Sequence, residues 1–308
     1  MLLKISDRLS LVISETGFTY CNCLFIDDDI RTIIDTGANR NSLEEIKPDS
    51  TDLVLYTHHH IDHVRGNAYF PQAKKYIHEL DYPALENMEA IIHYNCVDRW
   101  TDLMPGYDFT ESGAILGMGE EQYKGLEKVE HTFGDQKIFD LGHTQVQALH
   151  TPGHSPGHCV FWFPEEEMVF SGDICLTKAG PWYGEVFADP GDMLSSIERV
   201  IQLKPKKIVS CHTKRVYDDA IPRLTEFKNR IYKREERIYK YLTSQVADVD
   251  EIADQRLIYL QHPTPFVLFW EKLMVLKHLD RLIQQGRVEE VEPGLYQGHG
   301  DRSLVPFR

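Results

Sequence analysis

Apolar and polar positions alternate along the chain with two different periods, and the changes of period divide it into segments. Residues 2–13 and 20–26 are rich in Leu, Ile, Val and Cys, the make-up of half-buried strands. Asp27, Asp28 and Asp29 mark a turn before a second apolar run at 31–34, so a hairpin is expected there. Residues 41–46 read as a short capped helix and 52–56 as a further strand. A polar group beginning at His58 follows that strand at once. A β-β-α-β order that releases polar residues at a strand end puts them at the edge of a sheet, where functional sites gather.

From residue 80 to about 128 the pattern loosens. Helical segments are expected near 83–96 and 120–128, joined by a Pro- and Gly-bearing loop over 104–119. Strand–turn–strand patterning resumes over 136–149. A hairpin follows over 160–163 and 168–170, then an amphipathic helix over 194–203 and a last strand over 207–210. Beyond 221, Leu224, Phe227, Ile231, Ile238 and Leu242 recur at helical spacing. Short helices are then expected from Asp250, over 266–274 and over 275–285, with a small hairpin over 287–291 and 294–296. The expected organisation is an α/β domain over 1–220, with a helical insertion at about 80–128, followed by a helical, winged-helix-like region over 221–308.

Composition adds limits. With 42% hydrophobic residues, the chain has enough apolar material for a sizeable core. Its 33 Lys+Arg against 48 Asp+Glu, a formal net charge of -15, repels polyanions and gives no reason to sit on an anionic membrane. Nucleic acid is therefore disfavoured as a partner, and the mixed charges after 221 suit packing or a homodimer better. Six cysteines without a CxxC pair fit reduced thiols and a cytoplasmic setting. The first residues lack a basic patch followed by an apolar run, and no stretch approaches ~20 apolar residues, so no membrane span is expected.

The 15 histidines are not evenly spread. In His58-His59-His60-Ile61-Asp62-His63, positions two apart on extended chain face one side, so His58 and His60 can converge on one ion. Asp62 and His63 come at the following turn and can reach a second. Four ligands cannot close two coordination spheres. Further candidates stand at comparable junctions: His154 in Thr151-Pro152-Gly153-His154, Asp173 in Ser171-Gly172-Asp173, and His212 after Ser210-Cys211.

In that order, and with Asp35-Thr36-Gly37 upstream, these motifs resemble the metallo-β-lactamase fold superfamily over about residues 1–215. The resemblance implies an α/β fold, a four-layer αββα sandwich with a helical C-terminal extension here, and a site at one edge of the two sheets. It assigns His58, His60 and His154 to one metal and Asp62, His63 and His212 to a second, with Asp173 bridging. Two divalent ions are implied; histidine with carboxylate suits zinc first, with iron or manganese as alternatives. Asp35 is expected to orient a ligand rather than to be one, and His59 to pack behind the others.

The expected chemistry is metal-assisted hydrolysis of a small-molecule substrate, with Asp62 also orienting the nucleophile as the catalytic carboxylate. The segment 151–158 looks like that of glyoxalase II-type thioesterases, which favours a thioester or other acyl ester. A phosphodiesterase or nuclease of the same fold, a mononuclear iron sulfur dioxygenase and a non-catalytic metal-binding module are the alternatives. A lactonase fits less well, because Ile174-Cys175-Leu176 stands where lactonases of the superfamily carry a tyrosine.

Overall fold

Two β-sheets, formed by chain segments of clear strand composition, carry the molecule. The computed structural model describes residues 1–14, 19–115 and 129–300, and the helix expected over 120–128 lies outside them. The first sheet takes its strands in chain order: β1 (Leu2–Lys4), β2 (Leu9–Val12), β3 (Cys23–Ile26), β4 (Thr32–Ile34), β5 (Leu53–Leu55), β6 (Lys74–His78) and β7 (His131–Phe133). It is antiparallel from β1 to β4 and parallel from β4 to β7. The second sheet runs back from β13 (Val216–Tyr217) through β12 (Lys207–Val209), β11 (Met168–Phe170), β10 (Cys159–Phe163) and β9 (Gln145–His150) to β8 (Ile138–Asp140).

The apolar run expected as one strand over 2–13 is a hairpin, because polar Ser6, Asp7 and Arg8 interrupt it between β1 and β2. Strand β10 shows how the layers form. Cys159, Phe161 and Phe163 pack into the cluster shared with the first sheet, whereas Val160 and Trp162 pack into the cluster on the other face. That outer cluster is completed by α6 (Pro190–Gln202) and α7 (Ala220–Leu242). Asp189 caps α6, accepting from the backbone N–H groups of Gly191 and Asp192, and Pro190 stands at its first turn. On the first sheet, α1 (Arg40–Glu44) adds Leu43 to that sheet's apolar cluster, and α2 (Ile61–Val64) follows β5. The result is the mixed α/β sandwich of the expected class, with helices added at the C-terminal side.

Between β6 and β7 lie α3 (Met88–Tyr94), α4 (Trp100–Leu103) and α5 (Phe109–Ile115). After α7 come α8 (Val249–Asp254), α9 (Pro265–Gln284) and the hairpin β14 (Val288–Glu292) and β15 (Leu295–Gly298). The two helices expected over 266–274 and 275–285 are one continuous helix, α9. Trp100 of α4 packs on Phe266 and Phe269 of α9, with ring centroids 4.7 and 4.9 Å apart. Among the described residues no helix is long and apolar enough to cross a membrane.

Candidate metal centre

Every residue expected at the site follows the C-terminal end of a strand. The His58–His63 segment follows β5, His154 lies in the loop after β9, Asp173 follows β11, and His212 follows β12. Parallel pairing of β4 with β5 and of β11 with β12 brings these ends to one edge of the sandwich. Two glycines show how tightly the loops close on it. A Cβ on Gly37 would meet the Asp62 carbonyl oxygen at 1.4 Å, and one on Gly153 would meet the Met193 backbone nitrogen of α6 at 2.2 Å. Neither position can take a side chain without displacing backbone.

The structure brings six side chains together around the seventh, Asp173. His58 Nε2, His60 Nδ1 and His154 Nε2 lie 2.9 to 3.1 Å from one another. On the other side, His63 Nε2 and His212 Nε2 each lie 3.5 Å from Asp62 Oδ2. Asp173 stands between the groups: its Oδ2 is 3.3 Å from His154 Nε2, and its Oδ1 is 3.3 Å from His63 Nε2 and 3.0 Å from His212 Nε2.

The partners behind each ring fix which nitrogen carries hydrogen. The Trp182 carbonyl can only accept, so His154 Nδ1–H donates to it at 2.8 Å and leaves Nε2 as a lone pair. His60 donates Nε2–H to Glu185 at 2.9 Å and presents Nδ1. His63 donates Nδ1–H to Asp35 Oδ2 at 2.9 Å and presents Nε2. The Thr57 hydroxyl gives its one proton to Asp35, so it accepts from His58 Nδ1 at 2.9 Å and leaves Nε2 bare. Burial reinforces this: it drives His58 well below the usual histidine range, and holds His60 at about 3 and His154 at about 4.

Three bare lone pairs facing one another about 3 Å apart repel and cannot be hydrogen bonds. Tetrahedral coordination at 2.0–2.1 Å places neighbouring nitrogens ~3.3–3.4 Å apart, so the spacing fits one divalent cation. The second group differs in charge: burial alone would lower His63 and His212, but the facing carboxylates, Asp62 and Asp173 among them, hold both rings above the usual histidine range, so that side gathers positive charge of the kind a divalent cation supplies. The donor set, imidazole with carboxylate, suits zinc, iron or manganese.

Several contributors carry no spacing signal in the sequence. Asp81 accepts from the His59 ring and backbone, both at 3.0 Å, and from Ser155 Oγ at 2.8 Å and the Gly157 N–H. Glu185 Oε2 lies 3.2 Å from His59 Nε2 as well as beside His60. Burial alone would lower His59, but Asp81 and Glu185 hold it up at about 10, so it is a buried cation between two carboxylates. His158 donates Nδ1–H to the Thr151 carbonyl and accepts the Asp173 N–H at 3.0 Å. His150 points elsewhere, stacked on His78 at 4.3 Å. Asp35 holds its place at φ 61°, a left-handed conformation rare for aspartate, with Thr57 and His63 on its carboxylate.

The first group is almost wholly buried, whereas Asp62 and His212 are about a quarter exposed, at 24% and 23% of their side chains. They face a cavity of about 940 Å³. The insertion reaches this cavity through Met88, Ile91 and Phe109, whereas Trp100 packs against α9 and Tyr107 is exposed.

The family model of the metallo-beta-lactamase superfamily matches residues 16–212, more than half of the chain. A probable metallo-hydrolase of Bacillus subtilis is 26% identical over 60% of this chain and 77% of its own length. A hydroxyacylglutathione hydrolase of Bartonella henselae is 25% identical over 48% of this chain, which spans only 56% of that enzyme. Among solved structures, a metallo-beta-lactamase family protein from Thermus thermophilus superposes with TM-score 0.78 and 20% identity, covering 96% of this chain and 100% of that one.

Proposed function

The chain belongs to the metallo-beta-lactamase superfamily, a family of metal-dependent hydrolases, and on that footing we propose that it cleaves a thioester or other acyl ester of a small molecule with two divalent ions, zinc first among them. The single observation that carries the two-ion reading is the pair of ligand groups on either side of Asp173: three bare imidazole nitrogens face one another on one side, and two imidazoles face the Asp62 and Asp173 carboxylates on the other. His58, His60 and His154 would hold one ion; Asp62, His63 and His212 the other; Asp173 would bridge them. When bound, such a pair lowers the pKa of a shared water towards ~7 and so supplies a nucleophile at neutral pH.

The chain's own residues do the rest. Glu185, Asp35, Thr57 and the Trp182 carbonyl keep four imidazoles in the ligating tautomer. His158 fixes the Asp173 backbone, so that its two oxygens serve the two sides. Asp62 is the more open carboxylate, and its position at the cavity suits it to orient a water and to carry away its proton. The likeness to the hydroxyacylglutathione hydrolase supports a thioester. The complete second ligand group favours two ions over a mononuclear iron oxygenase. The cavity has no Lys or Arg among its described lining residues, which speaks against a phosphodiester.

Metal quantification on purified protein tests the reading. About two equivalents are expected. His60→Ala and Asp173→Ala should each lose metal and thioester turnover. Wild-type metal content and turnover in either variant would overturn the assignment.

A further inference from the structure

The space in front of the ligand cluster is built, not left over. Its floor is the exposed side of the metal-ligand groups. It is lined by Ile91 and Ile92 of α3, Phe109 of α5, and Phe266, Val267 and Trp270 of α9, with the Phe109 and Phe266 rings in edge contact, centroids 5.5 Å apart. These walls come from stretches more than 150 residues apart and are tied together. Trp100 packs on Phe266 and Phe269, and the Lys272 ammonium of α9, itself buried, donates to the Leu103 carbonyl at 2.6 Å. Glu271, fully buried, accepts from the Ile258 and Tyr259 N–H groups at 2.9 and 2.7 Å and so holds Tyr259 at the cavity's side. A cavity of about 940 Å³ is of the size that encloses a drug-sized molecule.

Its chemistry is one-sided. The lining is mostly aliphatic and aromatic carbon; Thr19, Asn95, Thr177, Tyr259 and Gln261 add only neutral polar groups to those of the ligand cluster. A charged headgroup finds no cationic partner there among the described residues, while hydrocarbon gains from leaving water. We propose that the cavity receives the acyl part of the substrate: the molecule acts on thioesters or esters whose acyl group is a medium-length or branched hydrocarbon. The carbonyl lies at the Asp62–Asp173 end and the hydrocarbon between α3 and α9. The inference rests on the acyl-hydrolase reading for the bond that is cut. In that reaction a C–O bond forms from water to the carbonyl carbon and the C–S bond breaks. The thiolate leaves with one of the water's protons, and the acid product departs as carboxylate after losing the other.

Two series test it on the metal-loaded full chain. Straight-chain carboxylates of four to twelve carbons, the product class, are titrated while the fluorescence of Trp182 and Trp270 on the cavity wall is followed. Affinity should rise about threefold to fourfold per methylene until the cavity is filled. N-acetylcysteamine thioesters of the same acyl groups, with a neutral leaving part, should show kcat/KM rising at least tenfold from acetyl to octanoyl. Val267→Phe and Ile92→Phe narrow the space and should shrink the octanoyl-to-acetyl ratio several-fold. Flat dependence on chain length in both series overturns the inference, and acetyl turnover would then leave the hydrolase reading standing. Rising affinity without turnover of any thioester supports the apolar cavity and removes the thioester.

Discussion

At the scale of single residues, the proposed ligand cluster depends on groups that do not themselves face the cavity. Glu185 selects the His60 tautomer and shares its carboxylate with the His59 cation. Glu185→Ala should therefore weaken metal binding by roughly 10–100-fold, as loss of a ligand's orienting partner does. Glu185→Gln, which keeps an accepting oxygen, should retain most of the affinity; competition with a chromophoric chelator reads both. His78 offers a pH test away from the metal groups. Burial, helped by the stacked His150, holds it at about 4 against 6.5 for a free ring. A lowered folded pKa means the unfolded chain binds more protons, so this contribution is fully present above pH 6.5 and is lost as pH falls towards 4. Unfolding free energies from urea titrations should drop over that window, by at most about 1.4 kcal/mol per pH unit from this group. His78→Gln, which keeps an acceptor for the Leu80 N–H, should flatten that share of the slope. The candidate ligands were legible as a cluster because six residues at a strand end hold four of them. Asp81 and Glu185 were not, since a lone carboxylate in a loop has no partner at fixed spacing to announce it.

Elements were legible where one face is dry and the other wet. The period of α6 and α7 is plain for that reason. Helix α9 blurred it: Phe269, Leu273, Met274 and Leu279 are buried on one side, and Glu271, Lys272 and His278 are buried too. A helix enclosed nearly all round shows no clean stripe, so its continuity across 274–275 did not stand out. Strand β6 hid in the same way, because it buries Lys75. The polar residues of α9 hold neighbouring segments in place. Glu271→Ala would leave the Ile258 and Tyr259 N–H groups buried without an acceptor, at roughly 1–3 kcal/mol each. A fall in the urea midpoint matching several kcal/mol is expected, with much of it restored in Glu271→Gln.

For the molecule as a whole, the boundary expected near 220 crosses one continuous apolar cluster. Val160, Val169 and Ile208 of the second sheet share it with Leu224 and Ile231 of α7 and with Met274 and Val275 of α9. Cutting the chain after Asp219 should uncover that face, and size-exclusion chromatography of residues 1–219 should show aggregate without bound metal. A well-behaved monomer with full metal content would argue that the tail is an independent unit. The cavity escaped the sequence for a related reason. Its walls belong to an insertion and a tail that meet only in space, and neither wall carries a motif.

Arg234 of α7 gives that connection a second meaning. Its guanidinium is buried and donates to the carbonyls of Ala179 and Pro181, in the loop whose next residue, Trp182, sets the tautomer of His154. The tail is thus wired to a proposed ligand through backbone alone, without touching it. Chimeras that join this sandwich to a relative's tail would inherit every ligand and still misplace His154, unless the incoming helix brought a cation to the same spot. Recombination among such proteins is then constrained by a residue that no comparison of active-site motifs would flag.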